Sequence, residues 1–348
     1  MQRLRLALIG CGVTTQTHHA PALARLAERF EVVAVVDQDP DAVQRTIAAL
    51  KTQSPPTTQD LAEVLENPSV DAALVVLPHH LHLSVVDDLL NQGKHVLVEK
   101  PFTHNAEEAL RLCMLADKYG LHLAVGHCQR FSPAAAGIKA LLDRQDIGTV
   151  FAAQATALQY LPDYAGADRT HWLYDPEKAG GGVVMSVCVH KLDLLRYLLG
   201  EVASVSATCD TSPDASANPR AFEWTAAITL RFDNGAIASV FGCYKARADR
   251  WQPEELLILG ERGTVRASGW RNYDLHTPGR TFVRHTPEHP GEWIAQLEAF
   301  HEGILGSTPN PAAGTDALHT MTLIDAIYKS AEHGGAPVQP VRHPTVSS

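Results

Sequence analysis

The chain lacks a cationic surplus: 29 Lys and Arg face 39 Asp and Glu, a formal net charge of −10. With nothing to draw phosphate toward it, no nucleic-acid or anionic-membrane partner is expected. Paired cysteines are missing too. Cys11, Cys113, Cys128, Cys188, Cys209 and Cys243 are scattered without a CxxC, which argues against a disulfide framework and for reduced thiols in a cytoplasmic protein. No metal site is expected. No apolar run has membrane length, and the chain enters an apolar strand at Leu4 with no leader ahead of it, so neither a span nor a secretory signal is expected. No internal repeat is seen.

What the chain does have is ordinary globular bulk. Its 348 residues suffice for two domains, and 45% hydrophobic with 20% charged residues is a normal balance. Strand-like Leu6 to Ile9, Val32 to Val36, Ala72 to Leu77, His95 to Glu99 and Leu121 to Val125 alternate with helix-like Ala20 to Arg29, Asp41 to Leu50, Ser84 to Gln92 and Asn105 to Tyr119. This alternation implies an α/β fold, a doubly wound parallel sheet of Rossmann type over residues 1–125. Residues 126–348 read differently, as an α+β domain with a large, mostly antiparallel sheet. Strand-like runs recur at Val150 to Ala157, Ala203 to Cys209, Thr225 to Phe232, Ala236 to Tyr244, Glu255 to Leu259 and Gly263 to Ala267. Asn234-Gly235 signals a hairpin between two of them. Helices are expected over Pro133 to Asp143, Val183 to Leu199, Trp293 to Leu305 and Thr315 to Ala331. Thr211 to Pro219 reads as a linker, and the tail after Gly334 as a segment that frays or packs on a partner.

Val96-Leu97-Val98-Glu99-Lys100-Pro101 is the most informative stretch. Proline forces Lys100 into an extended conformation and stops the strand, so Lys100 sits at the carboxyl edge of the sheet, where ligands bind. Gly10-x-Gly12-x-x-Thr15 follows the first strand and opens a helix. Its glycines allow backbone amides to approach a pyrophosphate, although Thr15 replaces the third glycine of the fingerprint. Asp37 ends the second strand, where a carboxylate accepts from an adenosine ribose and repels a 2′-phosphate, which favours NAD over NADP. Expected cofactor contacts are Gly10, Gly12, Val13, Thr14, Asp37, Leu77, Pro78, His82, Glu99 and Lys100, with His79 and His80 read as polar loop residues. Farther on, Gly180-Gly181-Gly182 opens a helix on which Ser186, His190 and Asp193 recur at i, i+4 and i+7, a polar stripe on a buried helix.

Together these residues resemble the glucose–fructose oxidoreductase / inositol dehydrogenase / MocA family. The matching pieces are Gly10-Cys11-Gly12, Asp37, Pro78 with His82, Gly93 through Pro101, Gly126-His127 with Arg130-Phe131, and Gly180-Gly181-Gly182 with His190 and Asp193. Glu298-Ala299-Phe300 and Ala326-x-Tyr328-x-Ser330 complete the set. The resemblance implies a nicotinamide cofactor, a sugar, cyclitol or derivative as substrate, and a homodimer or homotetramer built through the second sheet. It assigns Lys100 and His190 as the catalytic residues. Arg130, Tyr160, Asp163, Arg169, Trp172, Ser186 and Asp193 join them as expected substrate contacts. Many members carry aspartate where Ser186 stands, and a serine cannot raise the basicity of His190 as a carboxylate would. The reading is an NAD-dependent dehydrogenase or reductase acting on a secondary alcohol. Its rivals are a redox-assisted glycoside hydrolase and a non-catalytic sensor of NAD or sugar.

Overall fold

A computed structural model describes residues 2–51, 54–167, 169–210, 222–247, 255–285, 289–306 and 308–343. The expected linker Thr211 to Pro219 lies outside them. The first sheet holds β1 (Leu4–Ile9), β2 (Phe30–Val36), β3 (Thr57–Thr58), β4 (Ala72–Val75), β5 (His95–Glu99) and β6 (Leu123–Gly126), all parallel, in the order β3-β2-β1-β4-β5-β6. Helices cover both faces, so its central strands are apolar on both sides; β4 is buried throughout. The order reverses between β1 and β4, and the crevice at that switch point opens at the carboxyl ends of the strands.

The second sheet is larger. It comprises β7 (Val150–Leu158), β8 (Val202–Cys209), β9 (Thr225–Phe232), β10 (Ile237–Cys243), β11 (Glu255–Gly260), β12 (Gly263–Ser268), β13 (Asn272–Thr277) and β14 (Arg280–His285). Their order is β14-β13-β12-β11-β7-β10-β9-β8, antiparallel except for the central β7–β10 pair. The Asn234-Gly235 turn joins β9 to β10, with Gly235 at φ +89° and its N–H donating to Phe232 O. The strands β13 and β14 are not expected from the sequence, because only Tyr273 and Leu275 face inward along β13 and the rest is polar. One face of this sheet packs on helices; along the other, Ile237 and Phe241 remain 53% and 44% exposed.

Two features cross the boundary that the sequence pattern draws at residue 125. The helix Glu292–Ile304 returns to the first sheet and packs Ile294, Leu297 and Phe300 into the same core as Leu6, Leu8 and Phe30. The helix Gly314–Glu332 lies between the helix Ala106–Tyr119 and β8. In the tail, Val338 exchanges two backbone hydrogen bonds with Val205 and so covers part of the edge of β8. The cysteines are free thiols, and no helix among the described residues is long and apolar enough to cross a membrane.

Candidate active site

The glycine turn after β1 is shaped by steric demand. Gly10 has φ +96°, and a Cβ there would come within 2.0 Å of the Val76 carbonyl oxygen. Gly12, by contrast, faces open space, and the neighbouring Val13 is 65% exposed. The turn therefore leaves room above its backbone for a ligand. Thr15 fits the third glycine's place by folding inward, donating from Oγ1 to the Gly10 carbonyl at 2.7 Å. A π-helical turn, Thr15–His19, follows. Asp37 is held against the same turn: its Oδ2 accepts from the Cys11 N–H at 2.6 Å and its Oδ1 from the Asp39 N–H at 2.8 Å. Open backbone beside a fixed carboxylate is the arrangement a dinucleotide's pyrophosphate and ribose require.

Two of the expected cofactor contacts have partners within the protein. His82 does not line an opening. It is fully buried, with Nδ1 and Nε2 lying 2.8 and 2.9 Å from the carbonyl oxygens of Pro101 and Leu77, so it staples the tip of β5 to the tip of β4. Glu99 is turned inward as well. His19 Nε2 lies 2.8 Å from its Oε1, and the Lys100 N–H donates to its Oε2. Burial pushes this carboxyl up, but the His19 bond and the charges of His19 and Lys100 outweigh it and hold Glu99 ionised. Leu77 and Pro78 stay half-buried at the strand tip.

From the other side comes the helix that the triple glycine opens. Each glycine has its own reason. A Cβ on Gly180 would strike the His104 ring, on Gly181 the Tyr328 hydroxyl at 2.1 Å, and on Gly182 the Glu223 carbonyl oxygen at 2.0 Å. The helix begins with a π-helical turn, Val184–Cys188, before the regular helix Val189–Leu199. Such wide turns recur at functional sites. Lys100 reaches this turn, and its Nζ donates to the Ser186 carbonyl oxygen at 3.0 Å. His190 lies one turn on, its ring 6.5 Å from that of Trp270. Burial pushes its pKa well below the ordinary histidine value, and the charges of Lys100, His127 and Lys191 push the same way. His190 is thus neutral near pH 7, with its Nδ1 unpartnered among the described residues. Trp172 stands edge-on to His79, ring centroids 4.5 Å apart, and so brings the second domain's aromatic loop onto the tip of β4.

The expected stripe Ser186–His190–Asp193 does not form a single substrate face. Asp193, 1% exposed, accepts from Arg130 Nε and Nη2, each at 2.6 Å, and from Thr320 Oγ1 at 2.9 Å. Arg130, likewise buried, also pairs with Asp316 and donates to the Pro311 carbonyl. The two bind each other as a clamp between segments. Tyr160 accepts from Arg247, Arg169 lies over the Trp224 ring at φ +59°, and Asp163 is exposed on the short helix Leu161–Ala165. Sequence reasoning took His79 for a polar loop residue, named His127 only beside Gly126, and passed over Trp270 and Glu223. His127 follows Gly126 at the tip of β6, a positional signal; Trp270 and Glu223 sit in connecting segments that carry none.

Two family models match the chain. One, described as the oxidoreductase family with an NAD-binding Rossmann fold, covers residues 4–127; the other, the GFO/IDH/MocA C-terminal domain, covers residues 136–266. Among relatives, "Uncharacterized oxidoreductase YrbE" of Bacillus subtilis is 27% identical over 80% of this chain and 80% of its own. Levoglucosan dehydrogenase of Pseudarthrobacter phenanthrenivorans is 26% identical over 97% of this chain and 91% of its own. A solved structure of levoglucosan dehydrogenase in complex with NADH and levoglucosan superposes with a TM-score of 0.86 at 21% identity, covering 98% of this chain and all of that one.

Proposed function

Because the chain belongs to the GFO/IDH/MocA family of NAD-binding oxidoreductases, we propose that it oxidises or reduces a secondary alcohol of a sugar, cyclitol or sugar derivative. The observation that carries this reading is the convergence of Lys100 with the turn bearing Ser186 and His190 at the carboxyl edge of the first sheet. The relative named for levoglucosan supports the sugar class. Bound NAD(H) supplies the hydride acceptor or donor. In oxidation the neutral His190 accepts the hydroxyl proton as general base, and Lys100 donates to the oxygen as negative charge develops on it. In reduction His190 returns the proton. Trp172 and His79 supply an aromatic wall. Free, scattered thiols support a cytoplasmic setting. Following NADH absorbance with a panel of sugars and polyols tests the reading. Net change with at least one member supports it, whereas glycoside release without net change, or tight binding with neither, overturns it.

Asp37 supports NAD as the preferred cofactor. NAD(H) is expected to bind more tightly than NADP(H), and Asp37→Ala to weaken NAD binding and narrow the gap. Fluorescence titration with both cofactors checks this; an NADP(H) preference in the unchanged protein refutes it.

Ser186 tunes the base. An anion one turn before His190 favours the imidazolium form, so Ser186→Asp is expected to shift the histidine limb of the kcat/KM–pH profile upward. An unchanged limb would remove His190 from the proton-transfer role and leave Tyr160 or Tyr164 as the acceptor to test.

The open face of the second sheet supports a homo-oligomer. Ile237 lies across from Ala152 and Arg231, Phe241 across from Thr156 and Ala227, and Leu257 and Leu259 extend the apolar surface on β11. Phe241→Glu is expected to convert a dimer or tetramer to a smaller species in sedimentation velocity. A monomeric unchanged protein would refute the assembly.

A further inference from the structure

We propose that Glu223, backed by Tyr328, is a positioning residue for the proton-transfer machinery: it holds the first turn of the helix that carries Ser186 and His190, and its ionised form is the one that holds it. The inference rests on the functional reading given to His190 and extends it to a residue that touches neither substrate nor cofactor.

Glu223 is 0% exposed and stands two residues before β9. Its carboxylate accepts from the Gly182 N–H at 2.9 Å and from the Val184 N–H at 2.7 Å, and its backbone carbonyl accepts from the Val183 N–H at 3.0 Å. Three consecutive amides at the start of the helix, which have no acceptor within it, are thus satisfied by one residue about 40 positions away in sequence. Tyr328, on the helix Gly314–Glu332, donates from its hydroxyl to Glu223 Oε1 at 3.1 Å. The pair fills the space that the missing side chains of Gly181 and Gly182 leave. The clamp is therefore built into the triple glycine. The same turn supplies the Ser186 carbonyl that Lys100 holds, so a displacement of the turn moves both proposed catalytic groups relative to each other.

The carboxylate is costly to keep charged. Burial pushes its pKa up to about 7, against the opposing pull of the Val184, Gly182 and Tyr328 hydrogen bonds. The titratable groups that face it are Cys188 on the π-helical turn, Cys209 on β8, Tyr244 after β10 and Tyr328. Ionised, Glu223 accepts from both side-chain-bound amides. Protonated, one oxygen becomes a donor, and an amide of the first turn loses its acceptor in a site closed to water. The geometry around His190 is then set only above the Glu223 transition. That transition lies higher than the one of His190, whose pKa is driven well below the ordinary value.

Four proteins decide the matter: the unchanged full chain, Glu223→Gln, Tyr328→Phe and His190→Ala. Glu223→Gln keeps the shape and fixes the neutral form. It is expected to lower kcat about ten-fold, the cost of one unsatisfied buried amide, while the Kd for NADH measured by fluorescence stays within about two-fold. The acid limb near neutrality should vanish from its kcat–pH profile. Tyr328→Phe removes a donor that favours the charged form, so the limb should move to higher pH. The His190 ring titration by NMR, assigned with His190→Ala, reads the site without turnover: in the unchanged protein the ring signal should also step across the Glu223 transition, a step that is absent in Glu223→Gln and moved to higher pH in Tyr328→Phe. Wild-type kcat, limb and His190 titration in a folded Glu223→Gln overturn the proposal. If that variant does not fold, the same wild-type values in Tyr328→Phe overturn it. Loss of that step in Glu223→Gln upholds the positioning role even where turnover survives His190→Ala, an outcome that refutes only the catalytic reading of His190.

Discussion

Lys100→Ala is expected to lower kcat/KM by about 10²–10³-fold, the scale seen when one donor to a developing oxyanion is removed, while the melting temperature stays near that of the unchanged protein. The separation of the two effects follows from the surroundings of Lys100. Its ammonium is half-exposed at a strand tip and donates to the Ser186 carbonyl across the cleft; it is not inside an apolar core. The backbone before it is fixed independently, since the Lys100 N–H donates to Glu99, which His19 holds in turn. Removing the side chain leaves that scaffold standing. Steady-state kinetics beside a thermal melt check the prediction. Activity kept above about a tenth of the original would show that oxyanion stabilisation comes from elsewhere.

Asp193→Ala is expected to do the opposite: to destabilise the fold by about 3 kcal/mol, the lower end of the range for breaking a buried pair. The reason is the guanidinium it would leave behind. The Arg130 and Asp193 side chains are only 2% and 1% exposed, so water cannot take over the lost bonds, and the Thr320 hydroxyl also loses its acceptor. Asp316, beside Arg130, keeps part of the charge compensated, which places the expected loss at the lower end. Arg130→Met with Asp193→Leu, which removes both charges, should recover much of the loss. Urea unfolding of the unchanged protein and the two variants measures this. A change below about 1 kcal/mol in the single variant would mean that the clamp contributes little beyond geometry.

How much of the site could be read in advance depends on which residues are asked about. Gly10 and Asp37 were singled out by their place after particular strands, and the structure has Asp37 accepting from the Cys11 N–H in the turn that Gly10 opens. Lys100 is similar, because Pro101 ends β5 regardless of what surrounds it. For His82 the sequence says less, for a physical reason. Its position at a helix start beside the cleft says where its backbone lies, but whether the ring opens to a ligand or bridges two carbonyls depends on the approach of Pro101 and Leu77. For Arg130 and Asp193 likewise, the sequence shows two polar side chains near a site and not that they pair.

The sequence by itself determined most of the elements and their order, though not β3, β13 or β14: alternation of period two and helical spacing act between near neighbours, and Gly or Pro punctuation acts on single residues. Hence the parallel sheet, the second sheet's hairpin and the strand-edge lysine were legible without coordinates. Only the tertiary structure decided where the buried polar groups find partners. Arg130 and Asp193 are 63 residues apart, Asp193 and Thr320 127, Glu223 and Gly182 41. A buried charge or amide must be satisfied by whatever the packed chain brings within about 3 Å, and no local pattern along the chain encodes that encounter.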